Sequence, residues 1–300
     1  MSGMKIIELE GLIKDYGAFR ALTDVSWSLE KGELLGFLGP NGAGKTTAIR
    51  IMLGYLRATD GQARVYGLDA WAKSTEIRSR IGYLPGDVRH YTHMKGRQVV
   101  AFFAAARGPG GGIDAQRLTH VFGLDLNRKV RTYSKGMRQQ LGLILALMHR
   151  PELLILDEPS SGLDPLMQQT LYAELQAAVK DGRSVLFSSH SLPEVENLCA
   201  RVVILRKGRV VANQSIADLR KHAGHRVSLL FDHPIDTLPN PPQGLTLDRI
   251  NGTQITARWQ GDPGTLTQWL STLPLADVNI EPPDLEDLFI DYYSDRKDPS

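Results

Sequence analysis

Leu34-Leu35-Gly36-Phe37-Leu38-Gly39-Pro40-Asn41-Gly42-Ala43-Gly44-Lys45-Thr46-Thr47 joins three signals in one short segment. Residues 34–38 are an apolar run of the kind that forms a strand buried on both faces. Ala48, Ile49, Ile51, Met52 and Leu53 then resume with helical spacing. Between them, residues 39–46 match G-x-x-x-x-G-K-[ST], a phosphate-binding loop. The glycines let successive backbone N–H groups converge, and the following helix presents its positive end to an anion. The motif predicts that Gly39, Pro40, Asn41, Gly42, Ala43, Gly44, Lys45, Thr46 and Thr47 hold a nucleotide such as ATP. Lys45 would reach the β- and γ-phosphates and the Thr46 hydroxyl would ligate Mg²⁺.

Two further apolar runs end in polar residues. Residues 153–156 close on Asp157-Glu158, and residues 184–187 precede Ser188-Ser189-His190. Buried parallel strands whose C-terminal ends carry the chemistry fit this pattern, so an α/β fold is expected. Asp157 is the expected second metal anchor, and Glu158 is placed to accept a proton from an attacking water. Upstream, Val25, Trp27 and Leu29 alternate with Ser26 and Ser28, the period of a half-buried strand. Residues 95–150 read as mainly helical, interrupted by Gly108-Pro109-Gly110-Gly111-Gly112.

The net charge of +2 conceals an asymmetry. Residues 1–222 hold 30 Lys and Arg against 21 Asp and Glu, whereas residues 223–300 hold 5 against 12. Nine of the 16 prolines also fall in the shorter part, so a boundary is expected near residues 221–226, giving domains 1–222 and 223–300. In the second, Val227, Leu229 and Phe231 alternate, and Asn251-Gly252 turns into alternating Ile255, Ala257 and Trp259. Two amphipathic helices follow, carried by Leu266, Trp269, Leu270 and Leu273, then by Leu285, Leu288, Phe289 and Tyr292. A small α+β domain is predicted there. The longest apolar stretches, residues 99–106 and 141–148, are too short to span a bilayer. Glu8 and Glu10 stand where a signal peptide needs an apolar core. The single cysteine, Cys199, reads as core packing.

Residues 4 to about 222 resemble the ATP-binding subunits of ABC transporters. Tyr133-Ser134-Lys135-Gly136-Met137-Arg138-Gln139-Gln140 is similar to that family's signature, usually L-S-G-G-Q. The resemblance implies that Ser134 and Gly136 meet the γ-phosphate of ATP bound by a second subunit. It also makes Ser161-Gly162-Leu163-Asp164 a dimer-contact loop, His190 a switch histidine at the γ-phosphate, and Tyr16 the aromatic that stacks on adenine. Glu158, His190 and Lys45 would then be catalytic, with Thr46 and Asp157 at the metal. The implied fold is a P-loop ATPase core with an N-terminal antiparallel β subdomain and a helical signature subdomain at about residues 87–150. Two positions depart from the pattern: Gly86 stands where the family has glutamine, and Lys135 replaces the first signature glycine.

The implied activity is ATP hydrolysis that drives a membrane transporter through closure of an ATPase dimer. The Ser-Lys-Gly-Met signature, the Pro85-Gly86 loop and residues 283–289 resemble the bacterial exporter branch, whose permease is a separate chain. The partners are therefore an integral-membrane permease and a second ATPase subunit, at the cytoplasmic face of the membrane. A permease helix would dock on Asp87, Arg89, His90 and Tyr91. The alternative is a soluble ABC protein acting on nucleic acid or ribosomes. Nucleic acid is not expected, because the basic run Arg128, Lys129, Arg131, Lys135, Arg138 surrounds the signature and is interleaved by one aromatic, Tyr133. Ser134 also follows Lys45 by only 89 positions, leaving no room for long coiled coils.

Overall fold

The computed structural model describes residues 4–88, 91–235 and 237–281. In chain order it runs β1 (Lys5–Tyr16), β2 (Phe19–Glu30), β3 (Leu34–Leu38), α1 (Lys45–Met52), β4 (Asp60–Val65), β5 (Leu68–Asp69), α2 (Ser74–Arg80), β6 (Ile81–Leu84), α3 (Gly96–Ala106), α4 (Ala115–Val121) and α5 (Lys135–Leu147). Then come β7 (Leu153–Asp157), α6 (Pro165–Lys180), β8 (Ser184–Ser189), α7 (Leu192–Leu198), β9 (Arg201–Arg206), β10 (Arg209–Ser215), α8 (Ile216–Ala223), β11 (His225–Phe231), β12 (Leu245–Asn251), β13 (Gln254–Trp259), α9 (Pro263–Leu270) and β14 (Leu275–Glu281). The chain divides into two compact units, Met1–Asn213 and Gln214–Ser300.

In the first unit the apolar runs become the centre of a six-stranded sheet of order β10-β9-β3-β8-β7-β6. β3 pairs in parallel with β8 and β9, and β7 pairs in parallel with β6 and β8. Every residue of β3, β7 and β8 is buried, which is why these strands read as continuous apolar segments instead of alternating ones. Their parallel alignment brings three C-terminal ends to one edge: Gly39, Glu158 and His190 each follow such a strand. Gly39 N–H donates to Ser189 O at 3.2 Å, and Glu158 N–H to Ser188 O at 3.2 Å. The adjoining antiparallel sheet has order β2-β1-β4-β5. On β2 the inward Val25, Trp27 and Leu29 are buried while Asp24 and Ser26 are exposed, as the alternation requires.

α3, α4 and α5 build the helical part. Ser134 caps α5 by accepting from Met137 N–H at 3.1 Å, and residues 141–147 are buried throughout. The glycine-rich residues 108–112 form turns before α4.

The second unit has its own core. Its antiparallel sheet, of order β12-β13-β11-β14, turns at Asn251-Gly252 and packs Val227, Leu229, Phe231, Ile255 and Trp259 against Leu266, Trp269 and Leu270 of α9. Asp262 caps α9 through Thr265 N–H. The second amphipathic helix expected here, with Leu285, Leu288, Phe289 and Tyr292, lies outside the described residues.

Candidate active site

The loop between β3 and α1 closes one end of a cavity of about 290 Å³. Tyr16, Phe19, Ala21, Pro40, Asn41, Gly42, Gly44, Lys45, Thr46, Thr47, Asp157 and Glu158 line it. Gly44 has φ +108°, and a Cβ there would stand 2.9 Å from Ala21 O, so only glycine admits the turn into α1. Gly39 and Ala43 support the loop from behind: Ala43 N–H donates to Pro40 O at 3.1 Å, and Ala43 O accepts from Gly208 N–H at 2.9 Å. The Lys45 ammonium is buried and donates to Gly39 O, and to Pro40 O at 3.4 Å. The same lysine is 3.2 Å from Glu158 Oε1.

Asp157 and Glu158 meet this loop at two points. Asp157, 2 % exposed, accepts from the Thr46 hydroxyl at 2.8 Å through Oδ2 and from the Ser188 hydroxyl at 2.6 Å through Oδ1. These two hydroxyls satisfy a carboxylate that burial would otherwise destabilise. Glu158 adopts φ +52°, a left-handed conformation that costs a non-glycine residue on the order of 1–2 kcal/mol. It carries the side chain round so that Oε2 lies 2.6 Å from His190 Nδ1, while the buried Oε1 makes no hydrogen bond and relies on the charge of Lys45. His190 itself is 59 % exposed along its side chain.

Tyr16 and Phe19 end the two strands of a hairpin as directly paired residues. Both are largely exposed beside the cavity, and Lys14 Nζ stands 5.2 Å from the Tyr16 ring centroid. Phe19 was not singled out in the sequence, although its place just past the Gly17-Ala18 turn, opposite Tyr16, is the signal that identifies it. Ser188 was likewise missed as the second partner of Asp157.

Ser134, Gly136 and Asp164 do not line this cavity. Ser134 and Gly136 begin α5 beside Gly162, and Asp164 caps α6 by accepting from Met167 N–H at 3.0 Å. Gly86 sits against the Asp157 carboxylate: a Cβ there would lie 3.4 Å from Asp157 Oδ2. Arg89 and His90 lie outside the described residues. Tyr91, 48 % exposed, meets Phe102 edge-on at 5.7 Å between ring centroids. Cys199 is buried, and burial pushes its thiol well above the ordinary range, which suits packing and not nucleophilic chemistry.

The ABC transporter family profile matches residues 22–161. The ATP-binding protein YhcH of Bacillus subtilis, an uncharacterised ABC transporter component, is 30 % identical over 300 residues, covering 98 % of this chain and 97 % of its own. This chain belongs to the ABC transporter ATP-binding proteins. The bacitracin transport ATP-binding protein BcrA of Enterococcus faecalis is 35 % identical over 219 residues, covering 72 % of this chain and 71 % of its own. Among solved structures, the ATP-binding subunit of an ABC transporter superimposes with a TM-score of 0.67 at 30 % identity, covering 72 % of this chain and 92 % of that one. A dimeric bacterial ABC transporter cassette, at 22 % identity and a TM-score of 0.65 over 70 % of this chain and 98 % of that one, shares the fold. As an ABC ATP-binding subunit the chain is an ATPase that serves a membrane transporter. Among the described residues no helix is long and apolar enough to cross a membrane.

Proposed function

We propose that this chain binds ATP and Mg²⁺ in the cavity beside Lys45, closes on a second ATPase subunit, and drives export through a separate permease. The observation that carries the reading is Glu158, gripped between Lys45 at 3.2 Å and His190 at 2.6 Å at the end of the phosphate-binding loop. Lys45 exchanges the carbonyls of Gly39 and Pro40 for phosphate oxygens, which are stronger acceptors because they are charged. The Thr46 hydroxyl and the Asp157 carboxylate are hard oxygen donors already in contact, and they suit Mg²⁺, which takes few protein ligands. The metal supplies neutralisation of phosphate charge. Glu158 accepts the proton of the attacking water, and His190 fixes the orientation of its carboxylate. Tyr16 and Phe19 offer apolar ring surface to the adenine.

Ser134 and Gly136, which stand away from the cavity, are assigned to the nucleotide of the partner subunit. Asp164 belongs to the same inter-subunit surface. The dimeric cassette that shares the fold supports this arrangement, and the exporter-type motifs support the direction of transport. Asp87 and the exposed Tyr91 are proposed to meet the permease, which holds the chain at the cytoplasmic face of the membrane.

The deciding experiment is steady-state and single-turnover ATPase measurement on Glu158→Gln. A base acts in the transition state, so kcat should drop by about 10² or more while the KM for ATP changes little. Near-normal turnover, in a preparation free of contaminating ATPase, would remove Glu158 from the role of base.

A further inference from the structure

We propose that Gln139, in the second turn of α5, is a positioning residue for Glu158, and that it ties the signature helix to the catalytic carboxylate as one mechanical unit. The inference rests on the reading of Glu158 as the base. Gln139 is 4 % exposed, and its amide nitrogen donates to Glu158 O at 3.2 Å and to Pro159 O at 2.9 Å. A primary amide has two N–H donors, and here they meet two consecutive carbonyls. On the other side, Glu158 N–H reaches Ser188 O and Ser188 Oγ, each at 3.2 Å. The backbone of Glu158, held at φ +52°, is thus pinned on one flank by the end of β8 and on the other by α5. Such left-handed residues persist only where their surroundings over-determine them.

The grip continues along the loop. Lys135 Nζ donates to Ser161 Oγ at 3.0 Å. The lysine stem lies so close over Gly162 that a Cβ there would be 3.1 Å from its Cδ, and a Cβ on Gly136 would stand 2.7 Å from Gly162 O. α5 therefore holds residues 158–162 by Gln139, Lys135 and the bare face of Gly136. Whatever engages the start of α5 at Ser134 acts on the backbone that aims Glu158 between Lys45 and His190. Gln139 itself touches no reacting atom. It acts through the dihedral angle of Glu158.

The test is a double-mutant cycle in the full chain. It uses Gln139→Met, which keeps length and loses both donors, together with Glu158→Gln and the combined variant. Gln139→Met should lower kcat about tenfold or more with the KM for ATP within roughly twofold. In the Glu158→Gln background, read under single-turnover conditions, it should cost nothing further, because residues acting as a unit are not additive. Should Gln139→Met fail to fold, Gln139→Asn retains the amide but withdraws it by one methylene, and the same cycle is read with it. If Glu158→Gln is nearly inactive while the Gln139 variant keeps its kcat, the positioning role is overturned and the base assignment stands. An equal further loss in the Glu158→Gln background also overturns it, since Gln139 would then act on the fold at large. If Glu158→Gln turns over normally, the base assignment fails first and this inference falls with it.

Discussion

Asp157 and Glu158 are adjacent in sequence and opposite in surroundings. Asp157 ends β7 in extended backbone with two hydroxyl donors, whereas Glu158 turns left-handed and keeps one oxygen without a hydrogen bond. The apolar run before them announces the pair, but only the backbone reversal separates the proposed metal anchor from the proposed base. Sequence patterning does not report that reversal, because glutamate has no intrinsic preference for φ > 0. Gly86 shows the converse. The missing side chain is visible in the sequence, and the structure adds that a Cβ at this position would make ordinary contact with Asp157. Gly86→Gln should therefore fold with stability within about 0.5 kcal/mol of the parent, measured by urea unfolding. A clearly larger loss would mean that the backbone at residue 86 requires glycine. Lys45→Ala should weaken ATP binding directly, measured by equilibrium titration, because its ammonium is the buried cation at the cavity floor.

At the level of elements, α4 is tied to α6 by charge. Arg117 on α4 donates to Asp114 through two nitrogens and to Glu174 of α6 through two. Asp114 is 6 % exposed, and the Arg117 hydrogen bonds hold its carboxyl below the usual carboxylate range. Among the described residues Arg117→Ala would leave this buried charge with Arg150 alone at 3.4 Å, so a loss of about 2 kcal/mol is expected by urea unfolding. A change under about 0.5 kcal/mol would class the bridge with exposed ion pairs.

His149, just after α5, adds a pH dependence. Its ring nitrogens are buried, and burial, aided by the charge of Arg107 and only partly offset by the backbone of Ile81, pushes its pKa down to about 4. The folded state thus keeps the ring neutral while the unfolded chain takes up a proton near its ordinary value of 6.5. Stability should be level above that pH and fall between 6.5 and about 4. The fall, after allowance for solvent screening, is about 1–2 kcal/mol. His149→Leu should flatten that slope in thermal melts taken across the interval. Neither feature was legible beforehand: helical spacing locates the elements, but not which charges meet across them.

For the molecule as a whole, the change in charge and proline content predicts a boundary near residues 221–226, whereas the compact units, each with its own core, divide between Asn213 and Gln214. The residues of the phosphate-binding loop, Asp157, Glu158 and His190 all belong to the first unit, as do Ser134 and Gly136. A chain ending at Ala223 should therefore bind ATP with an affinity within a few fold of the intact protein, read by titration. Loss of binding in a folded truncation would place part of the nucleotide site in the tail. The assembly prediction follows from what one chain lacks. Lys45, Thr46 and Glu158 converge on the cavity, while Ser134 at the start of α5 does not line it, so the proposed two-subunit site gives a phosphate held by Lys45 the dipole of that helix from a second ATPase subunit. Glu158→Gln, expected to bind ATP without consuming it, should accumulate as a dimer at saturating Mg-ATP and dissociate when Ser134 is replaced by alanine. Light scattering on both variants reads this directly. A strictly monomeric Glu158→Gln protein under those conditions would leave Ser134 without a nucleotide to meet, and the two-subunit site would have to be given up.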